Sequence, residues 1–223
     1  MITTLPDDTV GQSVSISNHS DSVILSINTG QTVENLTFEV ACLEFMDCPR
    51  ADIFSKKNNK TLAETIAHPR YQSLALSART RYPQALNDGL GQFLAKLKSQ
   101  GDPFYLRFLN AYGDLTFCSF RLNDPRFLRQ KGLYLYATED KVQYIGRCLD
   151  AFGKRINLGY GTIHPKNCYR DGQSTNCHLN ALVAQNRSQI RLYICAMDED
   201  AVICRCERQL IQLFQPQWNI QLR

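Results

Sequence analysis

The chain has 223 residues, of which 43% are hydrophobic and 21% charged, with a formal net charge of +4. That suits one large domain or two small ones with a real core. There is no basic-plus-apolar leader and no apolar run near the roughly 18 residues a membrane span needs, which argues against export and membrane insertion and for a cytoplasmic place.

Nine cysteines without a leader are expected as free thiols in a reducing compartment rather than as a disulfide framework. Charge is unevenly shared. Residues 1–125 hold 11 Lys/Arg against 13 Asp/Glu, a balance of −2, and residues 126–223 hold 14 against 8, a balance of +6. The C-terminal half is therefore basic, as a polyanion-binding module requires.

Residues 1–20 are rich in Ser, Thr, Asp and Asn and are expected as a loose lead-in. Runs 22–27 and 36–40 alternate as strands, separated by Asn28, Thr29 and Gly30. Residues 47–62 turn polar and basic around Lys56-Lys57-Asn58-Asn59-Lys60 and predict an exposed loop. Ala85, Leu86, Leu90, Phe93, Leu94 and Leu97 follow helical spacing over 85–99. Residues 104–109 and 115–120 alternate like a hairpin about Tyr112-Gly113-Asp114.

Asp124-Pro125-Arg126 punctuates the chain and suggests two packed subdomains, 1–125 and 126–223. Beyond it the pattern predicts strands over 132–138 and 142–147, joined by Thr138-Glu139-Asp140-Lys141. A helix and a long loop follow. Next comes a helix from Ser174 or Thr175 to about Asn186, a strand over 191–196, and a helix to Phe214 whose start carries Asp198, Glu199 and Asp200.

Two triplets stand out in this half, Gly132-Leu133-Tyr134 and Tyr144-Ile145-Gly146. Each joins a glycine, which permits close backbone approach, to a phenol able to donate, accept or, once deprotonated, abstract a proton. Glu207 is equally conspicuous. Ile203, Leu210, Ile211 and Phe214 lie at −4, +3, +4 and +7 from it, so it shares the apolar stripe of its helix. A carboxylate there must be paired with a buried arginine, protonated, or bound to a metal.

The doublet resembles the signature of the GIY-YIG nuclease family. The likeness continues in Arg155, eleven residues after Tyr144, and in Glu207 followed by Gln215-Pro216-Gln217-Trp218-Asn219. It covers about 130–223 and leaves the first 130 residues outside it. The loop-rich stretch 159–178 is most similar to that of the restriction-endonuclease branch.

The resemblance implies an α/β (α+β) protein whose C-terminal part is a three-stranded antiparallel sheet flanked by helices, preceded by a mixed α/β region serving base reading or dimerisation. It implies Mg²⁺-dependent hydrolysis of phosphodiesters in double-stranded DNA, with Mn²⁺ able to substitute and Glu207 as the metal ligand. A structure-specific repair or mobile-element nuclease, and a DNA-binding module with a vestigial site, are the alternatives.

Tyr134 is then the general base or part of its relay, and Tyr144 orients water or phosphate. Arg155 clamps phosphate, with Arg147 as a second candidate, and Asn219 braces the site. The position after the arginine falls to Tyr160, with His164 as the alternative. Lys56-Lys57-Asn58-Asn59-Lys60 is either solvated surface or a DNA-backbone contact. His164, Cys168, Cys177 and His178 fit no standard zinc spacing. Cutting both strands calls for a homodimer or paired monomers.

Overall fold

In the computed structural model residues 14–19, 22–28, 33–139 and 141–220 are described. They form one antiparallel six-stranded sheet, a two-stranded sheet, five α-helices and several short 3₁₀ turns. The strands are β1 (Val14–His19), β2 (Ser22–Asn28), β3 (Val33–Ala41), β4 (Leu43–Phe45), β5 (Phe120–Leu122), β6 (Gly132–Thr138), β7 (Lys141–Cys148) and β8 (Ile190–Ala196). The helices are α1 (Leu62–Ile66), α2 (Gln72–Arg81), α3 (Leu90–Ser99), α4 (Ser174–Gln185) and α5 (Asp200–Phe214).

The large sheet runs β1-β2-β3-β8-β6-β7, and β4 pairs with β5. The mixed α/β class holds, but the C-terminal strands do not form a sheet of their own. Standing alone, β8-β6-β7 would leave β8 with a row of unpaired N–H and C=O groups. Glu39–Ala41 of β3 pair with Leu192–Ile194 of β8 and carry the sheet on into the N-terminal strands.

Contacts divide the chain into two compact units that interleave along the sequence. The first comprises Met1–Met46, Phe120–Gly159 and Asn186–Arg223, and the second Asp47–Ser119 and Tyr160–Gln185. Asp124-Pro125-Arg126 falls inside the first unit.

In the first unit, Leu133, Leu135 and Ile145 from the sheet bury against Ile203, Cys206, Leu210 and Ile211 of α5. The helical spacing of those α5 residues is what turns one stripe onto the sheet. In the second unit, Phe54, Leu62, Tyr71, Leu90, Phe93, Phe104 and Phe108 form a separate core.

Two further expectations change. The lead-in lies outside the described residues except at 14–19, where Val14-Ser15-Ile16-Ser17 alternates with period two and pairs with β2. The turn at Thr29 and Gly30, and Asp140 of the β6–β7 turn, also lie outside them.

The hairpin expected over 104–109 and 115–120 is absent. Residues Pro103–Phe108 form a 3₁₀ helix, because Pro103 presets a helical φ and Asp102 accepts a bond from the Phe104 amide at 2.9 Å. Phe104 and Phe108 then meet at i, i+4 with ring centroids 5.6 Å apart.

Asn180, fully buried on α4, takes the place of a strand partner for Cys118. Its Oδ1 accepts from the Cys118 amide at 3.0 Å, and its Nδ2 donates to the carbonyls of Cys118 at 2.8 Å and Tyr160 at 2.6 Å. Asn180→Leu leaves those backbone groups without this partner at about 1–3 kcal/mol each. We expect a loss of at least about 3 kcal/mol in urea unfolding; a loss under about 1 kcal/mol would refute this bracing role.

Candidate active site

Each signature triplet owes its glycine to a specific close approach. Gly132 has φ +141°, and a Cβ there would lie 2.1 Å from the Cys195 carbonyl oxygen on β8. Gly146 stands opposite Tyr134 in the β6–β7 register, and a Cβ on it would lie 2.4 Å from both Cζ and Oη of that tyrosine. The second glycine thus makes room for the phenol of the first triplet, whose tip reaches across the outer strand.

Tyr144 faces Tyr136 in register, not Tyr134. Its ring nevertheless lies 6.1 Å from that of Tyr134, stacked at 29°. Tyr136 and Phe152 complete the cluster, edge-on to Tyr134 at 6.1 and 6.3 Å. Tyr136 was legible as the next same-face residue of the strand, but it lies outside both triplets. Tyr134 is fully buried and Tyr144 is 8% exposed.

Alternation along the strands puts Tyr134, Tyr136 and Tyr144 on the face opposite Leu133, Leu135 and Ile145, which α5 covers. Glu207 projects from α5 beside the same outer strand. Its Oε2 accepts a hydrogen bond from Arg147 Nη1, and the Arg147 backbone amide also donates to the carboxylate. Burial pushes the Glu207 carboxyl above its usual range, partly offset by Arg147 and by the charge of Arg155. The buried-arginine alternative for Glu207 is thus realised in a modified form, since the Arg147 side chain is 42% exposed.

Asn219 is hydrogen-bonded to the backbone of β7. Its Oδ1 accepts from the Ile145 amide at 3.0 Å, and its Nδ2 donates to the Ile145 carbonyl at 2.8 Å. Beside it, the Trp218 amide donates to the Gln143 carbonyl at 2.9 Å. This turn begins where Gln215 adopts a left-handed φ of +43° at the end of α5 and Pro216 prevents the helix from continuing.

Arg155 lies exposed near the start of a wide-turn helix, Lys154–Tyr160. Its charge reaches both Glu207 and Cys148 at the end of β7. Asn157 of that helix accepts from the Leu122 amide at 2.7 Å and fixes it to β5.

The hairpin therefore gathers Tyr134, Tyr144, Asn219, Arg147 and Glu207, with Arg155 in electrostatic range. Tyr160 and His164 belong to the second unit. Tyr160 is fully buried, and its carbonyl is taken by Asn180.

No group of three or more His, Cys, Asp or Glu side chains gathers as a metal cage among the described residues. A divalent ion at Glu207 would depend on one carboxylate plus water and phosphate oxygens. Mg²⁺ accepts that donor set. No protein-family model, no curated protein and no solved structure matches the chain.

Because the Tyr134 ring occupies the space of a Gly146 Cβ, Gly146→Ala overpacks the hairpin by about 1–3 kcal/mol. Tyr134→Ala vacates that space, so the double variant should be more stable than the sum of the single losses predicts. Additive losses in a urea double-mutant cycle would show that the two residues are not coupled.

Proposed function

We propose that this chain is a GIY-YIG-type endonuclease that hydrolyses phosphodiesters in double-stranded DNA with Mg²⁺ or Mn²⁺, of restriction type, working as a homodimer or paired monomers. The observation that carries this reading is the pair Gly146-Arg147 on the outer strand. At consecutive positions, one residue seats the Tyr134 phenol and the other engages the Glu207 carboxylate. A phenol, a carboxylate and two guanidiniums around one strand edge suit attack of water on a phosphate better than any other common reaction.

In this reading Arg155 and Arg147 hold the phosphate oxygens as negative charge builds on them. A water oxygen forms a bond to phosphorus while the bond to the departing sugar oxygen breaks. The water's proton passes to a tyrosine that is ionised to its phenolate and becomes the neutral phenol, Tyr144 being the outer member of the pair and Tyr134 the enclosed one behind it. Asn219 keeps the strand edge in place. Glu207 would hold the divalent ion, which supplies positive charge against the departing oxygen.

One observation favours a second reading, a DNA-binding module without activity: Glu207 is already engaged by both the side chain and the amide of Arg147.

Glu207→Gln and Arg155→Ala should each lower Mg²⁺-dependent cleavage by roughly 10²–10³-fold, with DNA binding in EDTA left within a few-fold. Undiminished cleavage by both variants would sink the nuclease reading. No cleavage by the unaltered chain with Mg²⁺ or Mn²⁺, scored by sequencing fragment ends, selects the binding module.

The pH profile gives an independent check. Glu207 must be ionised to hold a cation, and burial raises its pKa. At sub-saturating Mg²⁺, where proton and cation compete for the free carboxylate, activity should therefore fall on acidification at a pH above the ordinary glutamate range. Arg147→Met removes a positive neighbour and should move that acid limb further up; a limb that moves down counts against Glu207 as the group titrated.

A further inference from the structure

The second unit contains a basic cleft of about 430 Å³ with no carboxylate in its lining. Lys56, Lys57, Asn58 and Asn59 form one wall, and His164, Pro165 and Lys166 the other. A run of lysines on a surface is most often a loose solvated loop. This one is fastened at each turn.

The amides of Leu90, Gly91 and Gln92, at the start of α3, donate to the Lys60 carbonyl at 2.9 Å, the Lys57 carbonyl at 2.9 Å and Asn58 Oδ1 at 2.9 Å. Those are helix-start donors that would otherwise need water. The loop sits so close that a Cβ on Gly91 would lie 2.2 Å from the Ser55 carbonyl.

The opposite wall is equally fixed. Asn167 Oδ1 accepts from the His164 amide at 2.9 Å, and Asn110 Nδ2 donates to the carbonyls of Asn167 at 2.7 Å and Tyr169 at 3.1 Å. The buried Tyr169 hydroxyl donates to the Phe54 carbonyl at 3.0 Å and ties the two walls together.

The charges inside are poorly compensated. Lys57 Nζ lies 4.4 Å from the centre of the Tyr169 ring. Burial and the like charge of Lys60 push its pKa down, with Asp171 acting the other way. Asp171 is itself engaged, accepting from the Tyr71 hydroxyl at 2.6 Å.

We propose that this cleft is a phosphate-binding site, separate from the hairpin, that holds the backbone of duplex DNA. The choice of DNA as the phosphate's source rests on the nucleic-acid reading above; the preference for an anion rests on the cleft alone. Lys56 and Lys166 are exposed point charges on flexible stems, without the fixed fork of an arginine. Such groups suit a continuous polyanion, whose released counterions drive binding, rather than the enclosure of one small anion.

The test measures binding of a fluorescent DNA duplex to the full chain in EDTA across a salt series, so cleavage plays no part. Combined Lys56→Ala, Lys57→Ala and Lys166→Ala should flatten the slope of log K against log salt by about 2–3 and weaken binding roughly 10- to 100-fold near physiological salt. Lys56→Ala with Lys166→Ala alters only exposed tips, keeps the melting temperature, and should give about two-thirds of that slope change. Lys96→Ala with Arg79→Ala removes the same charge outside the cleft and should leave the slope nearly unchanged.

An unchanged slope in the cleft variants, an equal effect in the control pair, or no DNA binding at low salt overturns the proposal. So does tight calorimetric binding of inorganic phosphate by a chain whose DNA affinity ignores the three lysines. If the cleft variants lose DNA binding while the unaltered chain cuts nothing with Mg²⁺, the cleft stands and the nuclease reading falls.

Discussion

The outer edge of β7 is the constraint on which the candidate site depends. Every second residue of an edge strand presents an N–H and a C=O that no neighbouring strand completes. At Gln143, Ile145 and Arg147 other parts of the chain meet these groups: the Trp218 amide, the Asn219 side chain and the Glu207 carboxylate, in that order. Three consecutive outward positions thereby recruit α5 and the turn that follows it. Two residues that look catalytic in the sequence, Asn219 and Glu207, are in the fold residues that finish the sheet.

That arrangement also separates the chemistry onto two faces of one strand. The phenols pack with Phe152 on one side, while Glu207 and Arg147 meet on the side covered by α5. Gly146 permits the Tyr134 ring to lie directly over the outer strand. A side chain in place of the glycine would displace the Tyr134 phenol.

What could be read from the sequence was what local spacing controls. The hairpin, α5 and the odd placement of Glu207 on its apolar stripe all follow from periods of 2 and 3.6. Asn219 was singled out only through the family resemblance; the left-handed Gln215 that turns the chain back toward β7 shows only in the fold. Pairing of β3 with β8 was not readable, since it joins residues some 150 apart in sequence and the alternation of either strand is silent about its neighbour.

The hairpin expected over 104–120 failed because Asp102 and Pro103 set the backbone before side-chain alternation could act. The second unit could not be read because its core joins Cys168, Tyr169, Cys177 and Ala181 to residues 53–117.

In the proposed nuclease reading Glu207 carries two demands at once, closing the strand edge and holding a cation, and the balance of its charges relates them. Desolvation of the carboxylate outweighs what Arg147 and Arg155 return, which is why its proton affinity is raised. A fully compensated buried ion pair would gain little from a further cation and would lose much when parted. An under-compensated carboxylate beside a half-exposed arginine differs in both respects. The guanidinium can turn toward solvent or a phosphate at modest cost, and a doubly charged ion returns more than the single charge it replaces. In that reading the incomplete compensation of Glu207 is the property a one-carboxylate metal ligand needs.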